Sequence, residues 1–323
     1  MSLEFQLDVI RTSAAIFPLS AGGTSDIARA FLRITGSDAT RWLNGMVTNN
    51  IAALAPGEGN YNFLLNAQGR IQGDCTVYRE PRDGPATYLL ETDKSQLETI
   101  QTHLDKFIIM DDVELTAALT DKVGLLLIGP GALGTLDVGL IWPTPPISLS
   151  HAPEIYGQPL VLSVSKDQYE IWGDETTATW LRSLGDIEVS AEAIEAFRIL
   201  SAVPKFGIDI TEKYLPQETA QTHALHFSKG CYLGQEIVER IHSRGQVHRT
   251  FTQFTLTGEM PTLPTPLESN GKPAGELTSA ALIDGTIHAL GYARREILEM
   301  HQPLTYSGGN ATPSTAPKLT TKN

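Results

Sequence analysis

Residues 207–249 read GIDITEKYLPQETAQTHALHFSKGCYLGQEIVERIHSRGQVHR, the densest run of chemically able side chains in the chain. At its centre stands Lys229-Gly230-Cys231-Tyr232-Leu233-Gly234-Gln235-Glu236. Gly230 and Gly234 permit turn geometry that exposes the thiol between them. Lys229, two residues before Cys231, favours the thiolate, which is the nucleophilic form. Residues 235–241 read as the first turns of a helix, whose N-terminus favours a negative charge nearby. The plain alternative is a packed Cys231 beside a solvated Lys229, since most free cysteines behave as buried hydrophobes.

Downstream, Arg240, His242, Arg244, His248 and Arg249 fall within ten residues, against Glu239 alone. This cluster reads either as an anion site, because arginine forks match carboxylate and phosphate, or as a solvated face paired with acidic neighbours. A nucleic-acid surface fits less well, as no aromatic residues interleave with the arginines. His223 and His226 precede Cys231, but His-x2-His-x4-Cys matches no familiar structural zinc spacing, and a capping or core role suits them better. A Cys–His nucleophilic pair needs a base that the fold must bring in from elsewhere.

Working outward, the pattern is α+β. A strand is expected over 26–35, then a helix from Ser37 or Asp38 carrying Trp42, Leu43 and Met46. Strands 61–65 and 71–78 form a hairpin pair across Asn66-Ala67-Gln68-Gly69, and period two puts Ile71, Gly73, Cys75 and Val77 on one face. Cys75 is therefore a small buried core thiol. A strand at 87–91 precedes a helix capped by Asp93 or Ser95, with Leu97, Ile100, Leu104 and Phe107 at helical spacing. Strands follow near 113–117, 123–128, 158–164 and 167–172, with 130–153 as a long proline-containing connection. Helices are expected over 176–184 and from after Ser190 to before Pro204. Beyond Arg249, short strands at 250–256, 275–278 and 287–293 alternate with Pro and Gly turns, which reads as a small all-β domain. No internal repeat is present. The stretch 307–323, poor in large apolar side chains, is expected to be a disordered tail.

The chain has 323 residues, 41% hydrophobic and 19% charged, enough for two or three packed domains. A net charge of −13 excludes a broad basic surface for duplex or tRNA binding. No run approaches the roughly 18 apolar residues that cross a bilayer, so no membrane role is expected. Residues 1–19 carry Glu4 and Asp8 and no basic segment ahead of an apolar core, which is not a signal peptide and predicts a cytoplasmic protein. The two cysteines, Cys75 and Cys231, make no disulfide framework. They also cannot hold an iron–sulfur cluster alone, since such sites use about four thiolates or a Cys/His mixture.

Lys229-Gly230-Cys231-Tyr232-x-Gly234-Gln235-Glu236, followed by Arg240, resembles the signature of the YgfZ family, folate-binding relatives of glycine-cleavage T-protein. Other pieces fall in the matching order: Thr48-Asn49, Gly69-Arg70-Ile71 ahead of Asp74, Arg198 with Pro204 and Gly207, Pro216-Gln217-Glu218, Gly275-Glu276-Leu277-Thr278-Ser279, and the stretch 289–294. The resemblance covers residues 27–295. It implies a three-domain T-protein-like cloverleaf around a central folate channel, with a C-terminal small β-barrel. The implied division is 1–50 plus about 120–245 as a discontinuous folate-binding domain, about 51–119 inserted in it, and about 246–306 as the barrel.

The resemblance also implies tetrahydrofolate, or a reduced derivative, as cofactor and iron–sulfur client enzymes, including tRNA-modifying ones, or assembly proteins as partners, with no direct nucleic-acid contact. Tyr61, Phe63 and Tyr232 would offer stacking surface, and Asp74 would accept hydrogen bonds from the pterin. Arg198, Arg240 and Arg244 would meet the glutamate tail, with Asn49, Gln235 and Glu236 completing the site. Cys231, biased by Lys229, would act beside the folate. Two departures from T-proteins stand out: Gly73-Asp74 replaces a pair of acids, and Leu200 stands where a pterin-contacting Glu is usual. Both argue against a working aminomethyltransferase, which remains as the alternative beside a non-enzymatic scaffold whose Cys231 is structural.

Overall fold

A computed structural model describes residues 1–20, 27–135, 147–151, 159–183, 187–245 and 247–314. It divides into two compact units. The first comprises Met1–Leu65, Gln72–Ala191 and His223–Leu233, and the second Asn66–Ile71, Glu192–Thr222 and Gly234–Asn323.

In chain order the first unit contains α1 (Leu3–Thr12), β1 (Ala15–Ser20), β2 (Arg29–Thr35), α2 (Ala39–Met46), β3 (Gly59–Leu65), β4 (Ile71–Arg79) and β5 (Tyr88–Asp93). It continues with α3 (Leu97–Asp105), β6 (Glu114–Ala118), β7 (Val123–Ile128), α4 (Ala132–Thr135), β8 (Ser148–His151), β9 (Leu160–Ser165), β10 (Gln168–Gly173), α5 (Glu175–Ser183) and β11 (Ile187–Glu188). Ser2 caps α1 by accepting from the Phe5 amide at 3.3 Å, and Glu4 and Arg11 sit at the ends the helix dipole favours. One sheet runs β11-β1-β7-β10-β9-β8 and the other β3-β4-β5-β2-β6. Strand β7 reads Val-Gly-Leu-Leu-Leu-Ile and is buried along nearly its whole length, as an apolar run should be at the middle of a sheet.

Strand β4 alternates as its period-two pattern requires: Ile71, Gly73, Cys75 and Val77 turn inward. Cys75 and Val77 join Trp42, Leu43, Tyr88, Leu90, Ile100 and Leu104 in one core. Burial, with Asp74 and Glu91 nearby, pushes the Cys75 thiol up, so it is inert as a nucleophile. The turn before β4 is closed by Asn66, whose Oδ1 accepts from the Gln68 and Arg70 amides at 3.0 Å each, with Gly69 at φ +69°.

Two expected boundaries change. β2 pairs with β5 and β6, and α2 packs into the same core, so residues 29–50 go with the 51–119 sheet and not with a 120–245 body. The reason is register: Phe31↔Glu91 and Phe31↔Ala118 put β2 between two strands of that sheet.

The second unit contains α6 (Ala191–Leu200), α7 (Gln235–Arg244), β12 (Arg249–Gly258), β13 (Thr265–Ser269), β14 (Lys272–Ile283), β15 (Thr286–Arg294), α8 (Arg295–Glu299), β16 (Leu304–Tyr306) and β17 (Gly309–Pro313). The six strands close a barrel in the order β12-β15-β14-β13-β16-β17, filled by Phe254, Leu256, Leu267, Leu277, Ile287 and Leu304. The supposed tail supplies β17, which pairs with β12 from Phe254↔Pro313 to Gly258↔Gly309 and closes the barrel. Closure removes an exposed edge from β12, which stabilises even a polar strand. Residues 315–323 of that expected tail lie outside the described residues.

Candidate functional site

In the first unit, the segment His223–Leu233 is bonded onto the end of α2 and the loop after it. Thr48 Oγ1 donates to the Ala224 carbonyl at 2.7 Å, and the His226 amide donates to the Thr48 carbonyl at 3.2 Å. The Leu233 amide reaches the Gly45 carbonyl at 3.0 Å. Asn49 works as a clasp, its Nδ2 donating to the Tyr61 carbonyl at 3.1 Å and the His223 carbonyl at 2.8 Å. His226 Nδ1 accepts from the Ser228 amide at 3.2 Å, a local turn contact.

Lys229 points into the same junction. Its Nζ donates to the Val47 carbonyl at 2.7 Å and the Asn49 carbonyl at 2.5 Å, and lies 5.0 Å from the centre of the Tyr232 ring. Val47 is the C-cap of α2, so the ammonium sits where the helix dipole is negative. Burial pushes Lys229 down to about 7, while the two carbonyls and the ring favour the charged form. Cys231 is exposed and Tyr232 is buried. The loop thus presents the thiol outward and anchors itself through the residues on either side.

Asp74 lies on β4 with its carboxylate held from two directions. Tyr61 Oη donates to Oδ2 at 2.6 Å and Gln96 Nε2 to Oδ1 at 2.8 Å, while the Asp74 amide donates to Gln96 Oε1 at 3.0 Å. Burial holds this carboxyl above the usual range, against the pull of those two donors. The Tyr61 ring lies 5.4 Å from the His223 ring and 5.5 Å, edge-on, from Phe63. Phe63 itself is fully buried, which corrects its expected role: it supports Tyr61 and offers no face to a ligand. A Cβ on Gly73 would come within 3.0 Å of Ile100 Cγ1 and 3.3 Å of Gln96 Oε1. The place where a second acid would stand beside Asp74 is closed by α3 and the turn before it.

Of the expected site residues, Asn49, Tyr61, Asp74, Lys229, Cys231 and Tyr232 are therefore gathered in one unit. Gln96 was missed; nothing in the spacing of a glutamine at a helix start signals a carboxylate partner 22 residues away. The remaining candidates lie in the second unit. Gln235 and Glu236 open α7, where Glu236 suits the helix dipole, and Arg240 is exposed on the same helix. Arg244 ends α7, and its side chain lies outside the described set.

Arg198 is corrected outright. It spends five donor contacts on Glu195 (2.9 and 2.7 Å), the Val203 carbonyl (2.6 Å), Asp209 (2.6 Å) and Ser279 (2.8 Å), leaving no edge for a glutamate tail. A register shift in β14 next to Thr278 aims both Thr278 and Ser279 at Asp209, at 2.5 and 2.7 Å. Arg249, from the basic cluster, is likewise held by Glu218 at 2.9 Å.

Residues 9–138 match the model of the GCVT N-terminal domain. The chain is 27% identical to the mitochondrial iron–sulfur cluster assembly factor IBA57 homologue of Mycosarcoma maydis, over 72% of its length and 57% of that protein. It is 26% identical to the mitochondrial iron–sulfur cluster assembly factor IBA57 of Mus musculus, over 72% of this chain and 66% of that protein. An aminomethyltransferase of a Nostoc strain is 26% identical over 92% of this chain and 81% of its own length. The chain spans 57% and 64% of the Mycosarcoma and Coccidioides immitis assembly factors it matches. In structure it matches the glycine cleavage system aminomethyltransferase T of Bartonella henselae with a TM-score of 0.83, at 19% identity, over 99% of this chain and 90% of that one. The α+β fold with its closed C-terminal barrel is that of the aminomethyltransferases. Among the described residues, no helix is long and apolar enough to cross a membrane.

Proposed function

We propose that this chain binds tetrahydrofolate or a reduced derivative and supports the assembly or repair of iron–sulfur clusters in client enzymes, tRNA-modifying ones among them, in the manner of the YgfZ family. The observation that carries the reading is the gathering of an exposed thiol, Cys231, and a half-buried acceptor, Asp74, on segments clasped together by Asn49 and Lys229. Similarity to IBA57-named iron–sulfur assembly factors supports the client side of it.

The residues suit a pterin. Asp74 accepts from two donors already and offers the lone pairs that a ring N–H would seek, and the Tyr61 ring provides an apolar face beside it. Tetrahydrofolate, when bound, supplies one-carbon and redox chemistry. Cys231 contributes a single sulfur. Because Cys75 is buried and about four ligands hold a cluster, any iron that Cys231 touches keeps its other ligands on a client. The aminomethyltransferase reading is weaker, since Gly73 leaves Asp74 without an acid beside it in sequence and position 73 has no room for one.

The test is functional replacement in cells that depend on this protein. A Cys231→Ala chain should fold and accumulate yet fail to sustain cluster-dependent enzyme activity. Full activity with Cys231→Ala would remove the thiol from the account.

A further inference from the structure

The second unit carries a cleft of about 380 Å³ that the folate reading does not use, lined among others by Lys213, Arg249, Pro264, Pro273, Glu276 and Arg294. Its size falls in the range of small-molecule sites, roughly 300–1,000 Å³. Its lining brings Lys213, Arg249 and Arg294 together with Glu276, while Glu218 and Glu296 pair with the two arginines from outside the lining. We propose that this cleft binds a phosphate-bearing small molecule.

The cations are held ready. Arg249 Nε donates to Glu218 Oε1 at 2.9 Å and Nη2 to the Lys213 carbonyl at 3.1 Å, while the guanidinium lies 4.8 Å from the centre of the Tyr214 ring. Tyr214 is stacked on Tyr292 with ring centres 3.8 Å apart, so the platform under Arg249 is rigid. Among the described residues no hydrogen bond engages Arg249 Nη1, and that corner of the fork is open. Among the described residues the Arg294 side chain makes one polar contact, with Glu296 at 3.5 Å, and it is 55% exposed. Lys213 pairs with Glu276, which also accepts from Tyr214 Oη at 2.7 Å. Fixing such side chains in advance lowers the entropy cost of binding.

The class of ligand follows from the number and placement of donors. A carboxylate is satisfied by one arginine fork. Cations brought by the chain before Tyr214, the start of β12 and the end of β15 suit a tetrahedral group with three or more acceptor oxygens. Pro264 and Pro273 present donor-free apolar walls, which accept a carbon body attached to that group.

The experiment titrates the full chain with inorganic pyrophosphate at low ionic strength and follows the heat of binding, with citrate as a carboxylate comparison. Saturable pyrophosphate binding is expected, weakened about tenfold in Arg294→Gln, as losing a charge-assisted hydrogen bond implies. Glu276→Gln, which removes the carboxylate lining the cleft and frees Lys213, should tighten it. Arg294 is exposed, so its variant should melt at the wild-type temperature. Absence of saturation, equal affinity in Arg294→Gln, or tighter binding of citrate than of pyrophosphate would overturn the proposal.

Discussion

Lys229 shows how a residue type is readable while its task is not. In the sequence it is a cation two places from a cysteine; in the fold it anchors the cysteine loop to the end of α2 through the Val47 and Asn49 carbonyls. Lys229→Met should therefore destabilise the protein by about 1–2 kcal/mol, the worth of charge-assisted bonds net of desolvation. Denaturant unfolding checks it, and an unchanged midpoint would deny the anchor. Arg198 makes the same point more sharply. Its carboxylate partners lie three and eleven residues away and its hydroxyl partner 81 away, so sequence offered a free cation where the fold has a saturated one. Cys75 was legible, because period two in β4 fixes its face whatever the tertiary context.

Among elements, the strands and helices with strong periodicity were legible, and those shaped by pairing were not. β1 contains Pro18, which argues against an interior strand; it is tolerated because the parallel partner β11 covers only Ala15 and Ile16. β17 is made of Gly, Asn, Ala, Thr and Pro, and only its partner β12 makes it a strand. Contact between β2, β5 and β10 adds a feature with a measurable consequence. Arg29 Nε lies 3.2 Å from Glu91 and 2.9 Å from the buried Glu170, so two carboxylates share one cation. Burial and Glu170 push Glu91 up to about 8. A raised carboxyl binds its proton in the folded state and loses it in the unfolded state above the ordinary value of about 4.3. Its contribution to stability is thus complete below that pH and is lost as pH rises through about 8. Glu91→Gln, which cannot deprotonate, should gain stability relative to the wild type as pH rises from about 5 to about 8. Parallel stability–pH curves for the two chains would rule out the raised Glu91 carboxyl.

At the scale of the whole molecule, the α+β class and the C-terminal barrel were readable from element order and turn spacing, and the match to the Bartonella henselae enzyme fixes the fold. What the resemblance could not supply was which candidate residues have hydrogen bonds to spare. Asp74 and Tyr61 were found together because they sit on neighbouring strands β3 and β4, close in sequence. The central claim is that this pair serves a reduced folate. Calorimetric titration with 5-formyltetrahydrofolate, on the wild type, Asp74→Asn and Cys231→Ala, tests it most directly. The account predicts saturable binding that Cys231→Ala retains and Asp74→Asn weakens at least tenfold, about 1.4 kcal/mol. No saturation at millimolar ligand, or equal affinity in Asp74→Asn, would contradict it.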